Sequence, residues 1–64
     1  MRQPYRVVRV YGITYNCHQR LLPITVKGIL TMPLRKLEEN LFRALQTPSS
    51  DDPIVKLRII TQEV

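Results

Sequence analysis

Hydrophobic and polar positions alternate near both ends of this chain and follow a helical period in its middle. Residues 5–13, YRVVRVYGI, are rich in β-branched and aromatic side chains, which suit a pleated, half-buried surface. Gly12 marks an end or a bulge in that strand. Residues 14–24, TYNCHQRLLPI, lose the pattern, and Pro23 cannot donate to a ladder, so a loop or poorly formed segment is expected there. Residues 25–32, TVKGILTM, read as a second strand. Pro33 ends it, because a proline pushes the preceding Met32 toward extended backbone. The same proline suits the first turn of a helix, where its missing N–H costs nothing. Leu34, Leu37, Leu41, Ala44 and Leu45 then form one apolar stripe at helical spacing. Arg35, Lys36, Glu38, Glu39 and Arg43 lie on or near the other side. Thr47, Pro48 and the serines end the helix within a polar loop, TPSSDDP. Residues 54–60, IVKLRII, are a third strand, with Val55, Leu57 and Ile59 on one face and Lys56 and Arg58 on the other.

The predicted order β-β-α-β defines an α+β fold. Its simplest form is a three-stranded, mainly antiparallel sheet with one helix packed on one face. Leaving the first strand in the middle lets both neighbours pair antiparallel, which gives spatial order 2-1-3. The chain of 64 residues is short enough for one domain only. A core of this size is marginal, because a domain of about 60 residues buries only about 60% of its unfolded-chain surface. Association with a partner or with itself is the expected supplement.

Alternation divides the sheet into two faces. The core face should take Val8, Val10, Val26, Leu30, Met32, Val55, Leu57 and Ile59, covered by the helix stripe. The opposite face should show Tyr5, Val7, Arg9 and Tyr11, then Lys27 and Ile29, then Lys56 and Arg58. One helix cannot cover both faces, so this one is open unless a partner covers it. The pair Val7-Val8 breaks strict alternation, and a one-residue slip would exchange the faces of the first strand.

Charge sharpens that picture. The net charge is +5, and every cation from Arg2 to Lys36 precedes the first acid, Glu38. Such a field attracts an acidic partner, whether nucleic acid, an acidic protein surface or an anionic membrane. Tyrosine and arginine are enriched at protein interfaces. Cations with aromatics on a sheet also bind single-stranded nucleic acid by stacking. The candidate contacts are therefore Tyr5, Arg6, Arg9, Tyr11, Lys27, Ile29, Lys56 and Arg58.

Little points to catalysis. Cys17 and His18 are adjacent, so in extended chain their side chains point to opposite sides, and no third group to orient them is evident. Glu38-Glu39 and Asp51-Asp52 read as helix-dipole and solvation groups rather than acid–base pairs. There is no glycine-rich phosphate loop. With one cysteine no intrachain disulfide can form, and Cys17 and His18 are too few ligands for a structural zinc. No apolar run is long enough to span a membrane, and the N-terminus lacks a signal-peptide apolar run. The expectation is a soluble, non-exported, non-enzymatic protein without a catalytic, metal or cofactor site.

The stretch KGILTMPLRKLEENLFRAL followed by IVKLRII resembles the CpcD-like linker domain of phycobilisomes. Met32-Pro33 stands for that family's strand-closing pair, and residues 37–41, LEENL, for its helix segment. Residues 54–56, IVK, stand for the start of its last strand. The opening MRQPYRVVRV and the length resemble the small allophycocyanin core linker. Two loops depart from the family pattern. TPSSDDP stands where a Gly-Gly turn is common, and QRLLPITVKG replaces an Arg-rich, Ser-Gly-containing run. The resemblance implies a non-catalytic linker that docks in the central opening of an acidic phycobiliprotein trimer, allophycocyanin rather than phycocyanin. There it would stabilise or cap the assembly and tune energy transfer. It also implies no bilin of its own, contact with the partner's bilins, and a peripheral place on the cytoplasmic side of the thylakoid membrane. A small nucleic-acid-binding module using the same face, or an assembly subunit of another complex, are the alternatives that the residues alone leave open.

Overall fold

A computed structural model of the chain describes residues 3–45 and 51–64. The elements run β1 (Tyr5–Thr14), β2 (Gln19–Leu21), α1 (Leu34–Leu45) and β3 (Ile54–Glu63). The strands form one sheet in the order β2-β1-β3, with β1 antiparallel to both neighbours. The α+β class, the single helix and the 2-1-3 order therefore agree with the sequence reading. The piece of chain that serves as the second strand does not.

β2 lies in the segment read as a loop. A short turn after β1 folds the chain straight back. The Thr14 amide donates to the His18 carbonyl (2.9 Å), and the Cys17 amide to the Thr14 carbonyl (2.9 Å). Cys17 closes the turn with φ at 66°, the left-handed conformation that a hairpin loop of this length uses in its last position. Tyr11 then pairs with Leu21, Gly12 with Arg20 and Ile13 with Gln19. All of β2 is exposed, so nothing required the apolar alternation by which it would have been read as a strand.

The expected strand over residues 25–32 is mostly irregular. Leu22 still donates to the Val10 carbonyl (2.9 Å), but Ile24 turns back to the Leu22 carbonyl (2.8 Å) around Pro23. Gly28 has φ of 89°, which a strand does not accommodate. The chain rejoins β1 only at Leu30, which exchanges backbone hydrogen bonds with Tyr5 at 2.9 and 2.8 Å.

Two irregularities reassign side chains to faces. In the β1–β3 ladder Val7 pairs with Thr61 and Arg9 with Ile60, leaving Val8 as the extra residue of a bulge. Lys56 pairs with Ile13 and Ile54 with Thr14, so Val55 is the second extra residue. Both valines, expected in the core, are about half exposed (53% and 52%). The first bulge also turns Tyr5 and Val7 onto the covered face. Their ladder partners Glu63 and Thr61 share that face with Leu57 and Ile59. The break at Val7-Val8 is thus a bulge rather than a slip of the whole strand.

Val10, Leu37 and Leu57 are the buried apolar side chains among the described residues. Each contributes about 1.5–3 kcal/mol by leaving water. Val26, Leu30, Met32 and Ile59 are half-buried around them. The Pro33 carbonyl accepts from Lys36 (3.0 Å) and Leu37 (3.2 Å), so the proline caps α1 from the position before its first residue. Leu37, Leu41, Phe42 and Leu45 form the sheltered side of α1, while Leu34 and Ala44 are exposed. The apolar stripe is therefore rotated toward Phe42 relative to the expectation. The helix end expected at residues 47–50 lies outside the described residues.

Candidate functional site

The sheet face away from Val10 and Leu57 is built by alternation after the two bulges. β1 contributes Arg6, Arg9, Tyr11 and Ile13. β3 contributes Lys56, Arg58, Ile60 and Gln62, and the short β2 adds Gln19 and Leu21. Arg6 stands opposite Gln62, Arg9 opposite Ile60, Arg58 opposite Tyr11 and Lys56 opposite Ile13. No two cations face each other directly, which would be destabilising. None of these strand positions holds an acid, so Arg6, Arg9 and Arg58 combine into one unopposed field, while Lys56 also borders a groove that Glu38 and Glu39 of α1 line.

Polar contacts hold part of this face in place. Arg58 donates from Nη1 to Gln19 Oε1 at 3.3 Å, reaching from β3 over the central strand to β2. Arg9 Nη1 lies 3.5 Å from the Tyr11 hydroxyl, at the limit of a hydrogen bond. Tyr11 and Ile13 are half-buried between the cations, and Leu21 at the edge is 61% exposed. A hot-spot surface has this composition: a partly desolvated aromatic and aliphatic strip flanked by arginines.

Of the predicted contact residues, the structure gathers Arg6, Arg9, Tyr11, Lys56 and Arg58 onto this face. It separates the other three. Tyr5 points to the covered side, where its hydroxyl donates to the Met32 carbonyl at 2.7 Å. Lys27 and Ile29 are exposed, but they sit in the irregular segment before Leu30 and not on the sheet. Ile13, Gln19, Leu21, Ile60 and Gln62 complete the face and were missed. Gln19 and Leu21 lie in the overlooked β2, and Ile13, Ile60 and Gln62 were not assigned to a face.

A second constellation joins the β1–β2 turn to the start of β3. Asp52 Oδ1 accepts from the Asn16 amide (3.0 Å) and from Asn16 Nδ2 (2.9 Å). Asp52 Oδ2 lies 3.1 Å from His18 Nδ1. The nearly buried Thr14 hydroxyl also hydrogen-bonds Asp52, and its Oγ1 accepts from the His18 amide at 3.1 Å. These bonds hold the Asp52 carboxyl below its ordinary range. The Thr14 hydroxyl is the largest influence, opposed by partial burial and helped by Asn16 and His18. Tyr15 adds a backbone bond to the Pro53 carbonyl (2.9 Å). Asp52 is thus a structural acceptor that pins a hairpin turn, not the solvating loop charge that the sequence suggested. Cys17 in the same turn is an exposed free thiol.

No helix of the described residues is long and apolar enough to cross a membrane. No family model matches the chain, and no curated protein or solved structure matches it significantly.

Proposed function

We propose that this protein is a non-catalytic linker of the phycobilisome. In this reading its open sheet face docks in the central opening of an acidic phycobiliprotein trimer, allophycocyanin in preference to phycocyanin. One observation carries the reading. Arg6, Arg9 and Arg58 share a sheet face with Tyr11 and no acid, with Lys56 at its edge beside α1. The resemblance over residues 27–45 and 54–60 supplies the identity of the partner. Charge complementarity would steer and orient the encounter, while Tyr11, Ile13, Leu21 and Ile60 would supply the affinity on desolvation. The linker contributes no bilin and acts on the partner's bilins only through their surroundings.

The placement of Tyr5 favours a protein partner over single-stranded nucleic acid. Base stacking needs successive aromatic platforms. With Tyr5 turned inward, Tyr11 is the one aromatic left on this face among the described residues. The test is to mix the chain with allophycocyanin trimers at low salt and follow co-migration and bilin emission. Co-migration with a shifted emission maximum supports the reading. Absence of binding to the trimer, or tighter binding to single-stranded DNA, rejects it.

A further inference from the structure

The outer edge of β3 is independent of the open face and has its own geometry. β3 is a long edge strand, and among the described residues no backbone group pairs with its outer side. An exposed edge of this length is a template for another strand. Two hydrogen bonds show which groups point outward. Val64 donates to the Pro4 carbonyl, so alternate residues Gln62 and Ile60 face β1, and Thr61 and Ile59 face away. Leu22 donates to the Val10 carbonyl, so Val10 directs its backbone toward the β2 side, which leaves its ladder partner Ile59 facing outward too.

That alternation restricts how a second copy could pair. Outward groups must meet outward groups, so an antiparallel β3–β3 ladder has to be centred on a residue and not between two. The two registers that overlap most are centred on Arg58 and on Ile59. The first sets Arg58 against Arg58, a direct like-charge contact that is destabilising. The second sets Ile59 against Ile59, Arg58 against Ile60, Lys56 against Gln62 and Leu57 against Thr61. No like charges oppose each other in it. It also brings Glu63 of the second copy opposite Val55, beside a groove between α1 and β3 lined by Arg35, Arg43 and Lys56 together with Glu38 and Glu39. The cations outnumber the acids there, so the incoming carboxylate is matched.

We infer that the protein forms a two-fold dimer through antiparallel pairing of β3 with β3 of a second copy, in the register that places Ile59 opposite Ile59. The two sheets become one continuous sheet, and the open faces of both copies join on one side. A chain with three buried apolar side chains among its described residues has reason to gain burial by association. This inference does not depend on the identity of the phycobiliprotein partner.

Sedimentation of the isolated chain, with amide hydrogen exchange on the same samples, tests it. The expected result is a reversible dimer. The Ile59 and Thr61 amides are protected where the dimer prevails and exchange freely on dilution, while the Ile60 and Gln62 amides stay protected. Thr61→Pro removes an outward N–H that the fold does not use, so a folded monomer is expected. If that variant fails to fold, the exchange pattern of the unaltered chain decides. A monomer at about 1 mM chain, a concentration that reveals even weak association, overturns the proposal. So does a dimer in which the Ile59 and Thr61 amides remain unprotected.

Discussion

One carboxylate oxygen of Asp52 holds Asn16 twice, accepting from its backbone amide at 3.0 Å and from its side-chain nitrogen at 2.9 Å. The residues are far apart in sequence, so this contact closes the β1–β2 turn against the start of β3. The Asp52 carboxyl is held below its ordinary value of 3.8, first by Thr14. A carboxyl depressed in the folded state binds its proton more readily when unfolded. Its contribution to stability is therefore complete above the unfolded value and is lost as pH falls through the lower, folded value. Urea midpoints measured from pH 7 downward should fall for the unaltered chain below about pH 4. Asp52→Asn should start lower at pH 7 and lose less on acidification.

Cys17 sits at φ of 66° in that same turn. The left-handed conformation costs a residue with a side chain about 1–2 kcal/mol, and a glycine nothing. Cys17→Gly relieves this but also loosens the unfolded chain, which offsets about 0.4–1 kcal/mol. A net gain of up to about 1.6 kcal/mol is expected from denaturant melts. Gly28, at φ of 89° with no atom within 4 Å of where a Cβ would stand, gives the opposite case. Gly28→Ala should lose about 1–2 kcal/mol through backbone strain alone.

Gly12 is buried near the end of β1, and a Cβ there would stand 2.9 Å from Ile54 Cδ1 and 3.3 Å from Leu22 Cδ1. Gly12→Ala should cost about 1–3 kcal/mol by overpacking. Ile54→Val removes the nearer methyl and costs about 0.5–1.5 kcal/mol by itself. The double variant should be more stable than the sum of the two losses predicts, since the residues touch. Chemical denaturation of all four proteins completes the cycle.

Tyr5 and Tyr11 should behave differently. Tyr5→Phe removes the hydrogen bond to the Met32 carbonyl and should cost about 1 kcal/mol of stability. It should leave affinity for an acidic partner unchanged. Tyr11→Ala should weaken binding by about tenfold or more, as loss of an aromatic anchor does. Thermal melts and binding titrations of both variants separate the two roles.

These tyrosines also mark how far the sequence could be read. The 2-1-3 order was legible because placing the first strand in the middle lets both neighbours pair antiparallel, even though the apolar run before Pro33 is not the second strand. The faces of β3 were legible over residues 56–59, where alternation is unbroken. Tyr5 was misplaced because a bulge at Val8 inserts one residue, and nothing in RVV tells whether the extra residue is inserted or the whole strand slips. β2 was invisible because an exposed edge strand needs only backbone partners, and those depend on a turn closed by a cysteine where glycine would be expected. Asp52 was read as a solvated charge because its partners Thr14, Asn16 and His18 lie across a tertiary contact that no spacing along the chain encodes.

The most direct measurement of the central claim is a titration of allophycocyanin trimers with the unaltered chain and with an Arg9→Glu, Arg58→Glu double variant. Both substituted side chains lie on the exposed face, so the fold should survive, with unchanged circular dichroism as the check. The account predicts that the unaltered chain binds, that its affinity falls with salt, and that the variant binds at least about tenfold more weakly. Equal binding by both proteins, or no binding by the unaltered chain at low salt, would contradict it.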